Sequence, residues 1–158
     1  MTNAPHVLPG SRTGWTYGSM EAVDSAAYDG LTDAFDKISM GASTERYTEK
    51  LGLTREAQDA FAASSHQRAG AAAASGAFAD EIAPVSIPQR KGDPVVVTVD
   101  EGVRPDSTVE VLARLRPSFA AEGTLTAGNS SPLSDGAAAL ILTSRENAER
   151  LGLDWLAV

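Results

Sequence analysis

The chain has 158 residues, a formal net charge of -8 and no cysteine. Its length suits one ordinary domain, and 42% hydrophobic with 22% charged residues is a globular composition. The acidic balance argues against a nucleic-acid partner, which needs clustered Lys and Arg, and the missing cysteine excludes disulfides and thiolate chemistry within these residues.

Met1 to Gly10 lacks the basic and apolar blocks of a signal peptide. No apolar run approaches the roughly 20 residues that span a bilayer. The expectation is a cytoplasmic chain with no membrane partner.

In chain order, Asn3, Pro5, Pro9, Gly10, Gly14 and Gly18 punctuate residues 1–30, which predicts turns or a loose hairpin. Trp15 and Tyr17 alternate with smaller residues as in a short exposed strand, free to serve a partner subunit or to fold back. Leu31 to Phe35 reads as one helical turn. Ser43 or Thr44 caps the next helix, which carries Lys50 in its last turn and stops at Gly52. Thr54 caps a longer helix with Glu56 and Asp59 near its positive end. Ala57, Phe61, Ala62, Ala69 and Ala73 outline its apolar face, and Gly76 ends it.

Ile82 to Ile87 and Pro94 to Val99 predict strands joined by the polar turn Gln89-Arg90-Lys91-Gly92-Asp93. Thr108 to Leu115 predicts a short amphipathic helix stopped by Pro117, and Gly123 to Asp135 a loop. Ala137 to Leu142 is apolar without alternation, as in a strand buried on both faces of a sheet. No other central strand is legible, so its neighbours are expected outside this chain. A helix from about Ser144 to Leu151 follows.

Several stretches, in this order and spacing, resemble the thiolase family: Met1-Thr2-Asn3-Ala4-Pro5-His6, Asp29 to Phe35, Met40-Gly41, Thr54 to Phe61, Ser65 to Ala69, Asp80-Glu81-Ile82, Pro88 to Pro94 and Leu115 to Phe119. The strongest are Thr124-Leu125-Thr126-Ala127-Gly128-Asn129 and Asp135-Gly136-Ala137-Ala138. The resemblance implies an α/β thiolase-fold fragment: a mixed helix and short-strand loop domain over 1–130, then the last strand and helix of the N-terminal half over 131–158. Four earlier strands would precede Met1, and residues 4–24 would resemble the hairpin through which thiolase dimers form homo-tetramers.

The implied function is that of a truncated thiolase, an acyltransferase making or cleaving 3-ketoacyl-CoA, with coenzyme A or acyl-CoA as substrate and no covalently bound cofactor. The alternatives are a non-catalytic coenzyme A-binding or assembly module, and a fragment completed by a partner bearing the cysteine half. Thiolase chemistry needs an activated cysteine, and none is present, so no catalytic residue is assigned. His6 and His66, the only histidines, read as a loop residue and a packed or solvated helical one. Asp24, Asp29, Asp33 and Asp36 read as a solvated acidic face rather than a metal site.

By family position, Arg104 flanks the adenine end of the ligand. Leu31, Met40 and Phe119 line the pantetheine channel, with Ala127, Gly128 and Ser131 on the loop beside it. Singly, each is as well explained as core, surface or turn. Ser39, Pro132 and Val111 depart from residues common among relatives, which bears on affinity and chain-length preference.

Overall fold

A computed structural model describes residues 1–157. The opening stretch is the expected loose hairpin: β1 (His6–Val7) pairs antiparallel with β2 (Val23–Asp24), with His6 opposite Asp24. Trp15 and Tyr17 sit in the irregular segment between them, not in a strand. The Trp15 indole N–H donates to the Pro9 carbonyl, 3.1 Å away, while Tyr17 is fully exposed. The first helical turn is a wide one over Ala26–Gly30, one turn earlier than expected. Residues 31–39 instead form a tight loop. Within it the Asp33 carboxylate accepts from the Phe35 and Asp36 backbone N–H groups, which hold its pKa below the usual aspartate value, Asp36 contributing most.

α1 (Met40–Leu51) starts three to four residues before the expected caps. Its cap is Ser39, whose hydroxyl accepts from Ala42 N–H at 3.2 Å. Local sequence favoured Ser43 and Thr44 equally, but Met40 N–H is already tied to the Leu31 carbonyl at 2.8 Å, which fixes the entry point. α2 (Arg55–Ala74) has the expected Thr54 cap and stops one residue before Ser75 and Gly76. Its inward stripe differs from the expected alanine face. Phe61 is 78% exposed and Ala57 is exposed, whereas Asp59 and Ala63 are buried, with Arg55, Gln58, Ala62, His66 and Gly70 half-buried beside them. Apolar periodicity found Ala62 and Ala69, which are half-buried, but missed Arg55, Gln58 and Asp59, because the first turns of the stripe that packs are polar.

β3 (Val85–Ile87) and β4 (Val95–Val97) form an antiparallel hairpin over the polar turn, with Ser86 opposite Val96. α3 (Val109–Leu112) is capped by Thr108 and packs on α2. α4 (Arg145–Leu151) is capped by Ser144 and stops at Gly152. The apolar run before it has no ladder partner among the described residues, and Leu140, Ile141 and Leu142 are 84%, 92% and 93% exposed. A strand exists only where neighbouring backbone supplies donors and acceptors, so this stretch stays irregular. Among the described residues no helix is long and apolar enough to cross a membrane, and no cluster of His, Asp and Glu suits a metal ion.

The core is small and unusually polar. Ala63, Leu112 and Leu125 are buried together with Thr48, Asp59, Ser107 and Thr126. Asp59 is 1% exposed and fully satisfied by named partners. Arg55 Nε donates to its Oδ2 at 2.7 Å and Asn129 Nδ2 to its Oδ1 at 2.9 Å. Arg55 Nη2 also reaches the Leu112 and Leu115 carbonyls at 2.6 and 3.1 Å, so one guanidinium ties α2 to the end of α3. Asn129 then closes its own loop, donating to the Thr124 carbonyl at 3.0 Å and accepting from Thr126 N–H at 2.7 Å.

Glu45 of α1 holds the same loop from the other side. Its carboxylate accepts from Thr124 N–H at 2.9 and 3.0 Å, Leu125 N–H at 2.8 Å and the Thr124 hydroxyl at 3.1 Å. Burial acts to raise its pKa, but the hydrogen bonds from Thr124, Leu125 and Thr48 together outweigh it and leave the carboxyl below the usual glutamate value. A carboxyl with a depressed folded pKa contributes stability that is complete above its unfolded value and lost as pH falls.

Acid unfolding of the chain should therefore steepen below pH 4.5, the ordinary glutamate value. Glu45→Gln should remove that part of the pH dependence and cost about 1–2 kcal/mol at neutral pH, read by urea melts at several pH values. Removing Asp59 leaves the half-buried Arg55 without its carboxylate partner. Asp59→Ala should cost about 3–5 kcal/mol, against under about 0.5 kcal/mol for Asp36→Ala, which loses only the exposed pair with Arg46. Equal losses in the two variants would contradict the anchoring role of Asp59.

Candidate functional site

The loop that Asp59 and Glu45 fix, residues 123–132, runs beside α2 and α3 and leaves a cleft on each side of His66. One cleft, of about 320 Å³, lies between the 102–107 turn, α3 and the loop; Arg104, Ala127 and Gly128 line it, with Asp106, Val111, Leu115 and Pro132. The other, of about 570 Å³, lies between α2 and the loop; Gln58, Phe61, Ser65, Gly128 and Ser131 line it. His66, Gly128, Ser130 and Pro132 border both, so the two form adjoining halves of one groove.

At Gly128 the loop comes close to Leu112 of α3 and to Leu115 just beyond it. A Cβ at this position would stand 2.5 Å from Leu115 Cδ1 and 2.6 Å from Leu112 Cδ2, far inside contact distance. A hydrogen side chain thus lets the backbone lie directly on those leucines. Its N–H donates to the Thr126 hydroxyl at 3.2 Å, and Thr126 is fully buried.

Of the residues expected to contact a ligand, the fold brings Arg104, Ala127, Gly128 and Ser131 to this groove. Leu31, Met40 and Phe119 lie apart from its lining. Met40 opens α1 and is tied to Leu31 through the backbone, and the Phe119 ring packs onto Gly41. Phe119 borders a separate cleft with Ala42, Glu45 and Thr124. These three therefore form a second cluster around the start of α1.

Sequence reasoning passed over His66, Gln58 and Ser130 as site residues. His66 is the most consequential, because its Nδ1 accepts from the Arg104 backbone N–H at 3.2 Å. No local sequence signal pointed to it; the structure adds Gln67 and Gly70, which follow His66 on the same helix and also meet the Arg104 turn.

Against known proteins, residues 1–146 match the family described as the thiolase N-terminal domain. The chain is 54% identical over 157 residues to a probable acetyl-CoA acetyltransferase of Mycolicibacterium smegmatis, covering 99% of this chain and 40% of that protein. It is 53% identical over 157 residues to an acetyl-CoA acetyltransferase of Pseudomonas aeruginosa, with the same coverage. The fold matches the acetyl-CoA acetyltransferase of Bacillus anthracis with a TM-score of 0.78 at 41% identity, over 95% of this chain and 38% of that one. It also matches human mitochondrial 3-ketoacyl-CoA thiolase with a TM-score of 0.80 at 34% identity, over 97% and 38%. The chain thus spans about 40% of the length of the curated relatives it matches.

Gly128→Val should push Leu112 and Leu115 off their positions and cost about 1–3 kcal/mol, with a smaller loss for Gly128→Ala. Thermal melts of both variants test this, and an unchanged midpoint for Gly128→Val would contradict the close approach.

Proposed function

This chain belongs to the thiolase family, within its N-terminal domain, and from that premise we propose that it forms the coenzyme A-holding wall of an acetyl-CoA acyltransferase. The observation that carries the reading is the convergence of Arg104, Ala127, Gly128 and Ser131 on one groove, from segments separated in sequence. Each suits a part of the ligand. A guanidinium plane stacks on adenine and pairs with phosphate. A slot walled by small residues and exposed backbone accepts the thin pantetheine arm. Leu31, Met40 and Phe119 extend the apolar wall from the start of α1.

The reaction class we infer is acyl transfer between coenzyme A thioesters, by thiolysis or condensation of a 3-ketoacyl-CoA. It requires a thiolate to take the acyl group and a second group to move the α-proton. These 158 residues contain no cysteine. No catalytic role is assigned to either histidine: His66 Nδ1 is engaged by Arg104 N–H, and His6 sits in the exposed strand β1. The chain's contribution is to bind and orient, and the covalent step belongs to residues beyond it. In the same reading residues 1–130 are the loop domain and 131–158 enter the N-terminal half. The run 137–142 is then a strand awaiting its sheet, and Tyr17 on the 4–24 hairpin faces another subunit of a homo-tetramer.

A second reading, a coenzyme A-binding or assembly module with no chemistry of its own, is favoured by the same zero cysteine count. Calorimetry with coenzyme A should show saturable binding to the chain, weakened about tenfold or more by Arg104→Ala. No heat at millimolar coenzyme A, or equal affinity in the variant, would overturn the binding reading. Turnover of acetoacetyl-CoA with coenzyme A by the chain alone would overturn the division between binding and chemistry.

A further inference from the structure

The turn that carries Arg104 is docked along one side of α2. Gln67 Nε2 donates to the Ser107 carbonyl at 3.1 Å. Gly70 leaves room for Pro105, whose Cγ would lie 2.6 Å from a Cβ at that position. The Arg104 backbone N–H donates to His66 Nδ1 at 3.2 Å. Only the last of these contacts depends on a proton. An imidazole nitrogen accepts a hydrogen bond only through its lone pair, so the geometry requires a neutral ring with its hydrogen on Nε2. A second proton, placed on Nδ1, would set one N–H against another.

The electrostatic surroundings of the ring are simple. The 102–107 turn brings Arg104 and Asp106 to the cleft lining beside it. The 128–132 loop and α3 add no charged side chain to either cleft lining, and on α2 the nearest charge in sequence is Arg68. No salt bridge to His66 is formed among the described residues.

We propose that His66 is a positioning residue: its neutral imidazole pins Arg104 to α2, and protonation of the ring breaks that pin, loosens the turn at Arg104 and weakens the adenine end of the groove. The statement about the turn stands on geometry alone. The statement about the ligand rests on the coenzyme A reading given above. A direct role would run the other way, since a protonated His66 facing a nucleotide phosphate would tighten binding on acidification.

The test follows the Arg104 amide and the His66 ring nitrogens by ¹⁵N NMR of the 158-residue chain, between about pH 7.5 and 5.5, where imidazoles ordinarily take up a proton. The Arg104 amide shift should move with the same midpoint as the His66 ring, and its protection from exchange, corrected for intrinsic rate, should fall. His66→Asn, which offers an amide oxygen near the place of Nδ1 without titrating, should keep the turn ordered across the range. His66→Ala should leave it loose at both ends. Coenzyme A affinity should fall from about pH 7.5 to 5.5 by roughly three- to tenfold more in the parent than in His66→Asn, the scale of one lost hydrogen bond, the variant reporting the change that comes from the ligand's own phosphate. An Arg104 amide that is indifferent to His66 titration, or affinity that rises on acidification, overturns the proposal. If the amide follows the ring but coenzyme A never binds, the positioning role stands and the ligand reading fails.

Discussion

The carboxylate of Asp59 is the point on which the remaining arrangement depends. It is closed off from water, and its oxygens are divided between Arg55, one helical turn behind it on α2, and Asn129 on the loop opposite. Burying a carboxylate is costly unless it is paired and hydrogen-bonded. That cost makes the arrangement selective, because it is met only when α2, the end of α3 and the 123–132 loop are all in place. Arg55 extends the linkage to the Leu112 and Leu115 carbonyls, where a cation also complements the end of a short helix. Glu45 completes it by accepting the N–H groups of Thr124 and Leu125. The loop lacks regular structure, yet the backbone N–H groups of Thr124, Leu125, Thr126, Gly128 and Asn129 are all hydrogen-bonded.

Apolar packing contributes comparatively little here. Few aliphatic side chains are buried, while Leu140, Ile141, Leu142 and Leu156 are almost entirely exposed. Polar networks of this kind specify a geometry well and stabilise it modestly. That combination suits a groove which must hold its shape while much of the chain's apolar surface stays uncovered. It also fits a chain that spans about 40% of its relatives' length, since exposed aliphatic runs of this extent normally meet other protein.

Much of the fold was legible where local chemistry decides it. Thr54 caps the helix expected of it, helices begin just after Thr108 and Ser144 where they were expected, Gly52 stops its helix, and the valine-rich segments around Gly92 pair as a hairpin. Errors arose where tertiary bonds overrule local preference. Ser39 displaced Ser43 and Thr44 as a cap because Met40 is tied to Leu31. The packed stripe of α2 is polar in its first turns, so a search for apolar period found Ala57 and Phe61 on the outside. The groove was partly legible: Gly128 announces a close approach, but nothing local ties His66 to Arg104, 38 positions away.

α2 serves both ends of the groove from a single rod. Asp59 grips the loop and His66 grips the Arg104 turn, seven residues and so about 10 Å apart along a helix that rises about 1.5 Å per residue. The spacing is thereby written into chain length rather than into any contact. Inserting or deleting one residue between them would swing one grip by about 100° around the axis relative to the other. Length changes are accordingly far costlier in this stretch of α2 than in the exposed polar turn between β3 and β4.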